Sequence, residues 1–300
     1  MRLPSPSRRF CLGLAAALLT AGLSHAQTPP ASTLERIRQT GVLRIGFGYA
    51  QPFAYIEANG TVTGYSIELC GRLAETLRVQ LALPRLDIQY SRLAPNNRIS
   101  QLNSGAIDIE CGASTNSPER RASVTFGPSH FITDSRYVSL AANALRTIDD
   151  LRGKSVAVVL GTTNVGDIAR LNRERRLNLS VVTTHTNQDA FDLITQGKVS
   201  AFPMDDVLLH MLVGASGNPD RYAVSDETLA PPQAYGFMMR RNDPDFVQAV
   251  DAALRNIYAS PDMPALYDRW FNEPLPGSGV NLHLPMSPTL RRALFGADAG

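Results

Sequence analysis

The feature that most constrains this chain is an alternation of strand and helix patterns that runs its course and then restarts. Val42-Leu43-Arg44-Ile45-Gly46-Phe47 reads as a strand, rich in branched side chains and ending near glycine. Pro52 to Ser66 carries alternating apolar residues around Asn59-Gly60, a hairpin signal. Ile67, Cys70, Leu73, Ala74 and Leu77 then recur at helical spacing. A strand over Leu86–Tyr90, a short helix around Ile99–Leu102 and a strand over Ile107–Cys111 complete the first unit. The second begins at Ser155–Leu160 and passes through the turn Gly161-Thr162-Thr163-Asn164 into a helix over Val165–Arg176. Strands over Leu179–Thr183 and Val199–Met204 alternate with helices over Gln188–Gln196 and Val207–Leu212. A strand over Tyr235–Met239 and helices over Pro244–Tyr258 and Met263–Phe271 follow. Such alternation predicts α/β layers on largely parallel sheets. Two units of one plan predict two lobes, with chain crossings near Tyr137–Leu140 and Tyr235–Met238. Open α/β sheets bind ligands beyond the carboxyl ends of their strands, so the cleft between lobes is the expected site.

The first residues do not belong to that plan. Arg8-Arg9, the apolar run Leu12–Leu23 and Ser24-His25-Ala26 make a secretory signal, with cleavage expected after Ala26. The apolar run is shorter than the ~20 residues a spanning helix needs. Cleavage removes Arg2, Arg8 and Arg9, leaving 26 basic against 27 acidic residues. A nucleic-acid partner, which calls for a basic surface, is not expected. The mature protein is expected outside the cytoplasm. Cys70 and Cys111 remain, and an even pair in an oxidising compartment is as compatible with one disulfide as with two buried thiols. No CxxC and no Cys/His cluster is present, so neither metal nor cofactor is expected.

Three loops that follow strands concentrate hydrogen-bonding groups. In the first, Cys111-Gly112-Ala113-Ser114-Thr115-Asn116 precedes Arg120, whose guanidinium can fork onto a carboxylate. The same run Glu119-Arg120-Arg121 also reads as an ordinary solvated face. The second, Gly161–Asn164, opens a helix and suits an anion as well as it suits a cap. The third, Met204-Asp205-Asp206, presents a carboxylate at a strand end, either to an ammonium group or to the following helix. Together, an arginine, an anion seat and an opposed carboxylate suit a zwitterion. No nucleophile elbow and no phosphate loop is found.

Beyond spacing, the chain from about Ser32 to Phe295 resembles the periplasmic amino-acid-binding proteins of ABC importers (extracellular solute-binding family 3), especially their glutamate/aspartate branch. The resemblance is carried by Gly64-Tyr65-Ser66, Asn97-Arg98-Ile99, Glu110-Cys111-Gly112 through Glu119-Arg120, and Gly161-Thr162-Thr163. Met204-Asp205-Asp206, Gln233-Ala234-Tyr235-Gly236 and Trp270-Phe271 extend it to the far end. It implies a type II two-lobed binding-protein fold, with a ligand cleft, a double-stranded hinge and closure around the ligand. Residues 27–137 and 238–300 would form lobe 1 and residues 138–237 lobe 2. By motif, Arg120 would grip an α-carboxylate with Thr115 and Thr163, Asp205 would take the α-ammonium, and Arg98 would meet the side chain. The resemblance further implies a Cys70–Cys111 bridge, a free amino acid and a membrane permease as partners, a monomer, and a periplasmic location.

The departures from the branch gather at the side-chain end. The turn Phe47-Gly48-Tyr49-Ala50-Gln51 lacks the branch's arginine, Pro95 and Ala113 stand for serines, and Asn187 stands for a histidine. Tyr49 and Asn187 suit an amide or a longer polar group, while Arg98 still admits an acidic one. The same fold also occurs in arogenate and prephenate dehydratases, the rival of another class. No unpaired Glu or His stands out beside Asp205 in the sequence, so a binder rather than an enzyme is expected. A third use, presenting the ligand to a sensor, is open to the same fold.

Overall fold

The computed structural model describes Met1 and residues 32–296. The expected signal segment lies outside the described residues. The first unit contains α1 (Thr33–Thr40), β1 (Val42–Gly48), the short pair β2 (Tyr55–Ile56) and β3 (Val62–Thr63), and α2 (Tyr65–Gln80). It continues through β4 (Asp87–Leu93), α3 (Arg98–Asn103), β5 (Ile109–Glu110), α4 (Pro118–Arg121) and β6 (Thr125–Phe126). The second unit holds β7 (Phe131–Leu140), β8 (Ser155–Val159), α5 (Asn164–Glu174), β9 (Ser180–Thr184) and α6 (Asn187–Thr195). After these come β10 (Phe202–Asp205), α7 (Asp206–Ala215), β11 (Tyr222–Val224) and β12 (Ala230–Tyr235). The chain then returns through β13 (Met238–Met239) to α8 (Pro244–Tyr258), α9 (Met263–Phe271) and α10 (Pro288–Phe295).

The first sheet has the order β4-β1-β5-β13-β6. Its β4-β1-β5 half is parallel, whereas β13 runs antiparallel to β5 and β6. In the second unit β8 and β9 are parallel, but β7 pairs antiparallel with β10, β11 and β12. The expectation of largely parallel sheets therefore holds for only part of each. Returning strands β13 and β7 supply the antiparallel part because they carry the chain back between the lobes.

Two crossings join the lobes, and one differs from expectation. The crossing expected near Tyr137–Leu140 falls inside β7, whose ladder partners from Phe131 to Leu140 all belong to the second sheet. The chain instead changes sheets between Phe126 and Phe131, and again between Tyr235 and Met238. The strand expected over Tyr235–Met239 is broken at Gly236-Phe237 by that second change. Side by side, β7 and β12 form the double-stranded hinge, with Phe131 opposite Tyr235. An aromatic cluster roots this ribbon in the first lobe. Phe53 lies 4.9 Å from Phe131 and 5.3 Å from Tyr235, and Phe131 stacks on Phe271 at 4.9 Å. Edge-to-face and offset-stacked pairs at these separations are favourable beyond their buried area.

Helix α8 packs against α2, so the segment after the second crossing folds back on the first lobe as expected. Cys70 of α2 is bonded to Cys111, just past β5, closing a sequence separation of 41. The bond fastens α2 to the strand end from which the loop Gly112–Ser117 departs. A loop of that length contributes about 2–4 kcal/mol by restricting the unfolded chain. Dithiothreitol, or Cys70→Ser, is accordingly expected to lower the melting temperature by several degrees. A melt unchanged by reduction would contradict this.

Candidate functional site

The loops at the strand ends face one another across a cavity of about 640 Å3 between the two sheets. All eight residues singled out as ligand contacts line it. Arg98, Thr115 and Arg120 come from the first lobe, with Tyr49 and Ala113 beside them. Thr163, Asn187 and Asp205 come from the second. The arrangement follows from topology, since each loop leaves the same edge of its sheet.

Arg120 sits on α4, a single turn started by Ser117, whose side chain accepts from the Arg120 N–H at 3.2 Å. The charged run Glu119-Arg120-Arg121 divides here. Arg121 is exposed, while Arg120 is only 8% exposed. Its Nη1 donates to the Thr115 carbonyl at 3.0 Å and its Nη2 to the Gly161 carbonyl of the facing lobe at 2.9 Å. Burial and then the neighbouring Arg98 pull the Arg120 guanidinium down to about 9. Glu110, Asp205 and Glu119 act the other way, as nearby carboxylates do for a buried cation.

Asp205 precedes α7 yet makes no side-chain capping bond to it. Its carboxylate, buried at 4% exposure, turns to the cavity instead. There it accepts from the Tyr235 hydroxyl and from Asn164 Nδ2 at 3.3 Å. Thr163 likewise stands at the start of α5 without capping it, its hydroxyl 3.2 Å from Gln233 Oε1. The capping alternatives weighed for both loops are thus not what the side chains do.

Burial raises the Asp205 carboxyl above the ordinary range, opposed by its bonds from Tyr235 and Asn164. Two opposite trends follow on acidification. Because the folded form holds this proton more tightly than the unfolded chain, Asp205 itself adds folded-state stability as pH falls through its raised value. Affinity for any ligand ammonium group falls over the same window, since the neutral acid offers no counter-charge. Calorimetric titration between pH 7 and pH 4 checks the second trend. Affinity flat across that range would contradict it.

Arg98, 7% exposed, opens α3 and donates through Nη1 to Ser114 Oγ at 2.8 Å and through Nη2 to the Gly161 carbonyl at 3.3 Å. Ser114 passes the interaction on, donating to Glu110 Oε2 at 2.7 Å. Glu110 is wholly buried, lines the cavity, and leaves Oε1 without a partner. Burial raises its carboxyl, while Arg98, Ser114 and Arg120 act the other way. The expectation that no unpaired Glu or His stands out beside Asp205 is therefore corrected, since Glu110 Oε1 has no partner and His185 also lines the cavity. A carboxylate at the end of β5 is hidden in the sequence because the neighbours that explain it, Ser114 and Arg98, reach it only through the fold. Tyr235 and Asn164, which hold Asp205, were missed for the same reason.

Tyr49 is 45% exposed at the mouth of the cavity, with Arg92 Cζ lying 5.1 Å from its ring centre. Asn187 opens α6 across the mouth and is half-buried. Gly161 takes φ +85°, and a Cβ there would lie 2.5 Å from the Asn96 backbone of the first lobe. Among the described residues no group of three His, Cys, Asp or Glu is arranged to hold a metal ion. No described helix is long and apolar enough to cross a membrane.

Two α/β lobes on a double-stranded hinge, with opposed buried charges at the rim of the cleft, define the class of two-lobed solute-binding proteins. More particularly, the chain belongs to the bacterial extracellular solute-binding proteins, family 3, whose family model matches residues 43–273. It is 32% identical to an L-glutamate/L-aspartate-binding protein of Pseudomonas aeruginosa, over 94% of this chain and 93% of that one. A glutamate/aspartate import solute-binding protein of Escherichia coli is 30% identical over 96% of both chains. Among solved structures, an ancestral arginine-binding protein bound to arginine superposes with a TM-score of 0.70 at 24% identity, covering 77% of this chain and 98% of that one. An ancestral amino-acid-binding protein, precursor of cyclohexadienyl dehydratase, also gives 0.70, at 25% identity over 80% of this chain and 99% of that one.

Proposed function

We propose that this chain is the periplasmic component of an ABC-type importer, closing its lobes around one free, polar α-amino acid and delivering it to a membrane permease. The observation that carries this reading is the pairing of Arg120 with Asp205 in one cavity, beside Thr115 and Thr163. Arg120 and the two threonines would hold the α-carboxylate, and Asp205 the α-ammonium. Arg98, with Ala113, Asn187 and Tyr49 around it, would meet the side chain. The names of the relatives make glutamate and aspartate the first ligands to try, and the missing arginine in the turn at Tyr49 makes glutamine the next.

The packing of Phe131 and Tyr235 against first-lobe aromatics supports lobe limits that fall along the β7–β12 ribbon. Closure about β7 and β12 would follow hinge-type population shift, with the ligand favouring the closed state. Export with loss of residues 1–26, a monomeric state and the absence of any cofactor belong to the same reading.

The rival on this fold is a dehydratase. Glu110 is the residue such an enzyme would enlist, but its carboxylate is bound by Ser114 behind Arg98, which suits a counter-ion better than a proton donor. Incubation with arogenate or prephenate is expected to yield no product. A thermal-shift screen of the free amino acids tests the main reading. Saturation at ~100 times the dissociation constant is expected to add about 2.7 kcal/mol for a small polar subset. If no amino acid raises the melting temperature, the reading fails.

A further inference from the structure

We propose that the ligand is longer than glutamate: an α-amino acid whose side chain carries a neutral amide near Arg98 and ends in an apolar tail lying along α7. The proposal rests on the reading of the cleft as an amino-acid site and names the class of amino acid.

Charge argues first. The charged side chains buried in the cavity wall are Arg98, Arg120, Glu110 and Asp205, two cations against two anions. A zwitterion with a neutral side chain leaves that balance intact. Arg92 also lines the cavity but is exposed against Tyr49, so a dicarboxylic acid would still add one anion to the buried set, which is costly. Arg98 already donates to Ser114 and Gly161, and its Nε is buried without a partner. The Arg98 charge is already answered by Glu110 through Ser114, so a neutral carbonyl suits it better than a second carboxylate.

Length argues second. From Asp205 the cavity continues along α7 over Leu208, Met211, Leu212 and Ala215. These positions fall on one helical face. At 1.5 Å per residue the stripe extends roughly 10 Å from its first member to its last. A glutamate carboxyl carbon lies three bonds from the α-carbon, at most ~4.5 Å away with bonds of about 1.5 Å. The α-carbon is pinned near Asp205, so a glutamate leaves most of the stripe bare. Tyr49, exposed and backed by Arg92, lines the same cavity from the first lobe and would supply an aromatic face for the tail. An apolar stripe continuous with the clamp is thus matched by a single ligand, with its ionic head at Arg120 and its tail on α7.

The simplest probe is γ-N-butyl-glutamine, titrated calorimetrically beside glutamine and glutamate. Each buried methylene is worth roughly fourfold in affinity. The butyl compound is therefore expected to bind at least ~10-fold more tightly than glutamine, and glutamine more tightly than glutamate. Leu212→Gln and Tyr49→Ala are each expected to bring the butyl-to-glutamine ratio towards one. The butyl compound binding no better than glutamine, with both requiring Arg120, overturns the tail and leaves the amino-acid site standing. Glutamate binding more tightly than glutamine overturns the neutral amide. If none of the three binds, both the tail and the amino-acid reading fall.

Discussion

Arg120→Ala is expected to weaken amino-acid binding at least ~100-fold. On the proposed reading its guanidinium forms two parallel bonds to the α-carboxylate, and each charged hydrogen bond is worth about 1.5–3 kcal/mol. Its position is prepared in advance, because the Thr115 and Gly161 carbonyls already orient both terminal nitrogens. Arg120→Lys is expected to recover only part of the loss, since an ammonium keeps the charge but not the fork. Without ligand, the variant should melt close to the parent. The parent guanidinium is held charged against its own burial, so its removal relieves one cost while it uncovers another at Glu110 and Asp205. Isothermal titration against the best ligand of the amino-acid screen, with a melt of the unliganded protein, separates the two effects. Retention of full affinity by Arg120→Ala would contradict the clamp.

Gly161→Ala is expected to act on closure rather than on contact with the ligand. Gly161 combines a left-handed φ with an approach to the Asn96 backbone that leaves no room for a methyl group. Two arginines of the first lobe also converge on its carbonyl, so it is a point where the lobes meet. The left-handed φ alone costs an alanine about 1 kcal/mol. The larger expected effect is a loss of affinity of tenfold or more, since the closed state must open by the width of a methyl group. Small-angle scattering should then show little ligand-induced compaction. Ordinary affinity and ordinary compaction in this variant would mean that Gly161 does not limit closure.

Much of the architecture is legible because packing and local pattern agree. Pro244–Tyr258 and Met263–Phe271 form helices over the expected ranges, the first with proline at its opening position and one apolar face. The hinge was only partly legible, since the crossing near Tyr235–Met238 was read but the paired strands β7 and β12 were not. In β7 the inward positions include Thr133 and Ser135, buried polar residues that hide the alternation. In β12, Pro231-Pro232 and a register shift between Ala230 and Gln233 disguise a paired strand. The site divides along similar lines. The Arg120 loop, the Gly161–Asn164 turn and Asp205 were readable as candidates from the loops, while Arg98, Tyr49, Ala113 and Asn187 were singled out only through the family resemblance. Their supports were not, because Tyr235 reaches Asp205 from the hinge and Glu110 reaches Arg98 through Ser114. A short-range pattern carries no trace of partners that far away.

The central claim is that the cleft holds both ends of an α-amino acid at once, and blocking each end in turn tests it most directly. Calorimetric titration would compare the best-binding free amino acid with its α-N-acetyl and α-carboxamide derivatives. The arrangement of Arg120 and Asp205 predicts a loss of at least ~100-fold for each blocked form, since each leaves one buried charge unpaired. Binding of either derivative as tightly as the free amino acid would contradict the account.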